Sequence, residues 1–206
     1  MSDGRAIVTT ESVQEYFKEL LTGAMANQKT PLDQVTEFYL VELLSRFIEA
    51  EKLFAKTADG SLEEEPLAFI LQRALEGERE QRVQALRRLG DNSLYVAGFF
   101  GDSLSRRLVD VDYYIQMGGA AYGTLANINR EHLSGGMFFG LYEELCQKFS
   151  SIVDLFAEIS ERVAVSTNRG VVRLYERWVK TGSDRLSKLL AEQGVIPAML
   201  KPGEVQ

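Results

Sequence analysis

One cysteine, one histidine, one tryptophan and four prolines stand in 206 residues. A lone Cys146 excludes an intrachain disulfide and any cysteine-based zinc cluster. His132 has no second histidine at helical spacing, and no Glu-x-x-His or Cys-x-x-Cys occurs. The familiar zinc and di-iron sites are thereby excluded, and no metal site is expected. There is no glycine-rich lysine loop for a nucleotide phosphate and no Gly-x-Ser-x-Gly elbow. No residue set specifies a cofactor, and no catalytic set is apparent. Basic charge is in deficit: 23 Lys and Arg face 30 Asp and Glu, a net charge of -7. A nucleic-acid partner needs a basic face, so it is not expected here. Arg73, Arg79, Arg82, Arg87 and Arg88 do lie close together. They are interleaved with Glu76, Glu78 and Glu80 at helical spacings, the pattern of a solvated, salt-bridged face.

Long apolar runs are also missing. The longest, Leu94 to Phe100, is far short of the ~20 residues that span a bilayer. The N-terminal MSDGRAIVTTES holds no apolar signal core. The expectation is a soluble, cytoplasmic protein without a membrane span. A 45% apolar and 26% charged composition is that of a globular chain, and the length suits one domain over 1–206. Residues 1–10 and 197–206 read as peripheral tails.

What is abundant is helical periodicity. Ser12-Val-Gln-Glu15 is a capping box opening a helix to about Asn27. Thr30-Pro31 is an N-cap followed by proline in the first turn, opening a second helix to about Ala58, before Asp59-Gly60. Ser61-Leu-Glu-Glu64, with Pro66, opens a third, which Gly90 closes as a C′ residue. Asp91 or Asn92 caps a fourth helix to about Leu108, and Asp110 a fifth to about Ile128. A loop over 129–136 follows. Phe138, Tyr142, Leu145, Phe149, Ile152, Phe156, Ile159 and Val163 then keep a 4-3 spacing along a long sixth helix. That seam fits a core or a second subunit. Asn168 caps a seventh helix, bent or divided at Gly182-Ser183 and stopped by Gly194 and Pro197. No period-two alternation competes. The sequence predicts an all-α, compact bundle of about seven helices with a long heptad-like sixth.

Residues 90–142 depart from this pattern. Eight of the 17 glycines lie between Gly98 and Gly140, and nine of the 20 aromatics between Tyr95 and Tyr142. Glycine costs a helix about 1 kcal/mol against alanine, so something must offset it. Close helix packing is one answer, and a flat ligand flanked by Tyr95, Phe99, Tyr113 and Tyr122 is the other. The same stretch carries a charged knot of Asp102, Arg106, Arg107, Asp110, Asp112, Tyr113 and Tyr114. Its functional reading is a pocket for an acidic ligand, with Arg106 or Arg107 as anchor and Asp102, Asp112 or Tyr113 as acid–base groups. Its structural reading is an ion-pair network at a helix corner, with Asp110 as N-cap.

Leu133-Ser-Gly-Gly136 resembles the core of the ATP-binding-cassette signature and the glycine-bearing distal helix of haem oxygenases. The first resemblance implies a lysine phosphate loop, and the second an N-terminal helix histidine for the iron; the chain has neither. Two functions therefore stand as expectations. One is an interaction or regulatory protein, a homodimer or a dock for another protein. The other is a helical bundle that binds an acidic small molecule, with or without catalysis.

Overall fold

The computed structural model describes residues 10–54, 67–104, 110–130, 136–165, 168–192 and 194–195. Among the described residues the chain is nearly all helix, with nine helices and no strand. It divides into two units, Met1–Ala157 and Glu158–Gln206.

The first unit opens with α1 (Thr10–Gln28) and α2 (Gln34–Phe54), which pack on one another. α1 begins two residues before the predicted cap, and its end is set by Lys29, whose φ of 54° is left-handed. The Thr30 N–H then reaches back to the Met25 carbonyl at 3.1 Å, closing the last turn. α2 starts three residues later than the Thr30-Pro31 signal, because the intervening loop is held from elsewhere. The Asp33 N–H donates to both Glu144 carboxylate oxygens, and Lys148 Nζ donates to the Pro31 carbonyl at 2.7 Å. Lys148 also donates to Glu144 at 2.8 Å. Burial pushes the Glu144 carboxyl upward, but the hydrogen bonds from Lys148 and the Asp33 N–H outweigh it and hold the group below its ordinary range.

α3 (Leu67–Glu76) and α4 (Arg79–Leu104) follow. The predicted third and fourth helices are redistributed: the break falls at Gly77–Glu78, and α4 runs through Gly90 and Asp91 without interruption. Gly90 is therefore not a C′ residue, and neither Asp91 nor Asn92 is a cap. Gly90 is required for a different reason. A Cβ there would sit 2.5 Å from Cε1 of the Tyr122 ring. Gly98 and Gly118 likewise admit Phe156 and Phe149, each with 2.3 Å to an imagined Cβ. Close approach of aromatic rings offsets the helix cost of these glycines.

α5 (Val111–Arg130) packs on α4 and on α6 (Gly136–Gln147). Asp110 caps α5, accepting the Tyr113 N–H at 3.2 Å. α6 and α7 (Phe149–Val165) replace the single predicted sixth helix, meeting at Lys148. Helical hydrogen bonds continue there, from Lys148 N–H to the Glu144 carbonyl and from Ile152 N–H to the Lys148 carbonyl, both 2.9 Å. Of the 4-3 seam, Tyr142, Leu145, Phe149, Ile152, Phe156 and Ile159 are buried, whereas Phe138 stands exposed.

The second unit contains α8 (Asn168–Thr181) and α9 (Asp184–Glu192). Leu174, Trp178, Leu186, Leu189 and Leu190 form its buried core. Gly182, at φ 62°, divides the predicted seventh helix, and Gly194, at φ 74°, ends α9. Arg185 ties α9 to Glu161 at 2.7 Å. The segments 1–9, 55–66 and 196–206, with their expected caps and tails, lie outside the described residues.

Candidate functional site: an arginine cleft over a buried carboxylate

The site begins with the polar stripe on α4. Gln84, Arg87, Arg88 and Asp91 recur at i, i+3, i+4 and i+7, which places them on one helical face. The neighbours Ala85, Leu86 and Leu89 are buried. Asp91 stands at the edge of that core and is only 5% exposed. A buried carboxylate is costly unless it is hydrogen-bonded and paired.

Asp91 is both. The Tyr39 hydroxyl of α2 donates to its Oδ1 at 2.5 Å, and the Tyr122 hydroxyl of α5 donates to the same oxygen at 2.8 Å. Oδ2 faces two guanidiniums, Arg46 Nη2 at 3.5 Å and Arg87 Nε at 3.9 Å. One carboxylate thus links α2, α4 and α5. Burial pushes its pKa above the ordinary carboxylate range, against the two tyrosine hydrogen bonds and the Arg87 and Arg46 charges, which pull it down. Tyr39 and Tyr122 are themselves pushed far above the usual phenol value, by burial first and by the Asp91 charge next. They remain neutral donors near neutral pH and are unsuited to moving a proton there.

Around this hub the aromatic residues form two clusters. Tyr122 stacks on Tyr142 at 6.0 Å and meets Phe149 at 5.9 Å. Tyr95 stacks between Phe47 at 4.1 Å and Phe99 at 4.8 Å.

A cleft of about 410 Å³ opens above Asp91, lined by Arg46, Phe47, Arg87, Arg88 and neighbouring polar residues. Of its three arginines, Arg46 and Arg87 approach the Asp91 carboxylate. Arg87 is steered by Tyr39, with its guanidinium carbon 5.3 Å from the ring centroid and its Nε donating to the hydroxyl at 3.3 Å. Among the described residues its contacts run through Nε and the guanidinium face, and its two terminal NH2 groups make none. A planar fork held at one edge and open at the other matches a carboxylate or phosphate.

The residues singled out by sequence that are described take several places. Tyr95 and Phe99 are joined in one stack, Tyr122 belongs to the Asp91 hub, and Tyr113 and Tyr114 meet edge to face at 5.7 Å. Asp110 is an N-cap and Asp112 is exposed. Arg106, Arg107 and the Asp102 side chain lie outside the described residues, as do His132 and Leu133–Gly135. Sequence reasoning missed Tyr39, Arg46, Arg87 and Asp91. The signal was the i, i+3, i+4, i+7 polar stripe, visible once α4 is allowed to continue through Gly90. Among the described residues, no group of His, Cys, Asp and Glu is placed to hold a metal ion. None of the described helices is long and apolar enough to cross a membrane. Comparison of the chain with family models, with curated proteins and with solved structures finds no match.

Proposed function

We propose that the first unit binds a small acidic molecule, anchored by Arg46, Arg87 and Arg88 in the cleft over Asp91. The observation that supports it is Arg87, whose guanidinium is fixed at one edge by Tyr39 and Asp91 and, among the described residues, makes no contact at the other. Asp91 offsets one positive charge and orients two arginines, a supporting role that preorganises a binding site. The cleft volume of about 410 Å³ falls within the range of small-ligand pockets. The acidic-ligand reading of the sequence is kept, with its anchor moved from Arg106 and Arg107 to residues of α2 and α4.

Calorimetric titration with inorganic phosphate and with citrate, at low ionic strength, tests this. The expected Kd is about 1 mM or tighter for at least one of them. Arg87→Ala should weaken it by about tenfold or more, and Arg87→Lys by less, because the lysine keeps charge but loses the fork. An unchanged thermal melt would show both variants folded. If neither anion binds the native chain, or if binding survives Arg46→Ala and Arg87→Ala together, the reading is wrong.

A second reading, a homodimer or protein dock, is favoured by Val35 and Phe38. They are 41% and 67% exposed and three residues apart on α2. Sedimentation of the native chain beside Phe38→Ser tests it: a dimer lost on substitution supports it, and a monomer in both sets self-association aside.

A further inference from the structure

The cleft over Asp91 carries a small charge excess. Among the described residues, Arg46 meets only Asp91, and Arg87 meets only Asp91 and Tyr39. Two guanidiniums against one carboxylate leave a single positive charge for a ligand to neutralise. Arg88 also lines the cleft but has an interaction of its own, so the count does not extend to it. A single carboxylate matches that excess. It is planar, and so fits the free edge of the Arg87 fork.

The wall of the cleft is of another kind. Polar side chains predominate among its lining residues, yet the surface they present is mostly apolar. Phe47 is the one aromatic residue among those described there. It also ends a column of rings. Tyr95 lies on it at 4.1 Å and nearly parallel, with 5° between the planes, and Phe99 follows at 4.8 Å. Tyr95 covers one face of Phe47, which is still only half-buried and borders the cleft. A flat ring bound there would extend the column and lie along the aliphatic stems of the arginines. A saturated ring would bury similar area without the stack. A sugar would set its hydroxyls against apolar wall.

We infer that the ligand is an aromatic monocarboxylate, its acid group on the Arg87 fork beside Arg46 and its ring stacked on Phe47. This rests on the acid-anchor reading given above and names the chemistry of the rest of the molecule.

Calorimetry on the full chain with inorganic phosphate, benzoate, cyclohexanecarboxylate and benzamide tests this. Benzoate should bind severalfold more tightly than either phosphate or cyclohexanecarboxylate, and benzamide, which keeps the ring without the charge, should not bind measurably. In Phe47→Leu, benzoate should fall to the level of cyclohexanecarboxylate while phosphate affinity stays unchanged. Nuclear Overhauser contacts on the native chain should join the benzoate ring to the Phe47 ring, which reads the stack even where the substituted chain fails to fold. Cyclohexanecarboxylate or benzamide matching benzoate would overturn the inference. So would Overhauser contacts that avoid Phe47, or a gain that is absent or survives in Phe47→Leu, with phosphate still bound; the acid anchor would then stand without its ring. Failure of phosphate and both carboxylates to bind would overturn the acid anchor itself, and this inference with it.

Discussion

Alanine at position 90 sets two physical effects against each other. Gly90 lies inside α4, where alanine is favoured over glycine by about 1 kcal/mol on helix propensity. An added Cβ, however, would stand 2.5 Å from Cε1 and 2.8 Å from Cδ1 and Cζ of Tyr122. Carbon atoms pack at roughly 3.5–4.0 Å, so the ring must shift by about 1 Å. Tyr122 has no room to do so: it is fully buried, between Tyr142 and Phe149, with its hydroxyl on Asp91 at 2.8 Å. Moving the ring breaks that bond, and a hydrogen bond to a charged group contributes about 1.5–3 kcal/mol. Holding the ring in place instead leaves an overpacked core, at about 1–3 kcal/mol. On balance packing outweighs propensity, and Gly90→Ala should lose up to about 2 kcal/mol net, lowering Tm by up to roughly 8 °C in a chain of this size. Gly23→Ala is the control. Gly23 is interior to α1 with nothing within 4 Å of an added Cβ, so that substitution should gain up to about 1 kcal/mol. Thermal and urea melts followed by far-ultraviolet circular dichroism measure both. A Gly90→Ala protein as stable as Gly23→Ala would refute the packing of Tyr122 against α4.

Other outcomes follow from the same contacts. Tyr122→Phe should cost about 1.5–3 kcal/mol in urea melts, because it removes a buried donor to Asp91 while keeping the ring. Asp91 has a raised folded-state pKa, so its contribution is intact below the ordinary value of 3.8 and is lost as pH rises through the folded value. The stability difference between the native chain and Asp91→Asn should therefore shrink as pH climbs above about 4, and a pH series of urea melts reads it. Glu144 has the opposite sign. Its contribution is present above 4.5 and lost as pH falls through its lowered folded value, so Glu144→Gln should flatten the acid side of the stability curve.

Much of the helical architecture is written locally. The divide at Gly182 and the stop at Gly194 are set by glycines in left-handed backbone, which neighbouring residues announce. Asp110 before Val111 is a cap in sequence and in structure. The hub was illegible for the converse reason. Gly90 followed by Asp91 has the local signature of a helix end and a new start. Its true role is set by Tyr122, 31 residues beyond Asp91, and by Tyr39, 52 residues before it. Glycine as a stop and glycine as a place for a ring are the same letter, and only the ring's arrival separates them. Arg87 reads as one more partner for the nearby glutamates. The fold instead pairs it with Asp91 one turn later, a carboxylate that the apparent helix break had assigned to another element. Arg46 comes from a separate helix, so no spacing along the chain connects it to the cleft. The glycines at 98 and 118 were legible as a question, and Phe156 and Phe149 answer it.

The most direct test of the arginine cleft is nuclear magnetic resonance of the guanidinium Nε–Hε groups during titration with inorganic phosphate. Every arginine reports separately, so position is measured along with affinity. The account predicts saturable shifts at Arg46, Arg87 and Arg88, with the remaining arginines following only the weak drift of ionic strength. Shifts of similar size across all arginines, or saturation at arginines outside the cleft, would contradict it.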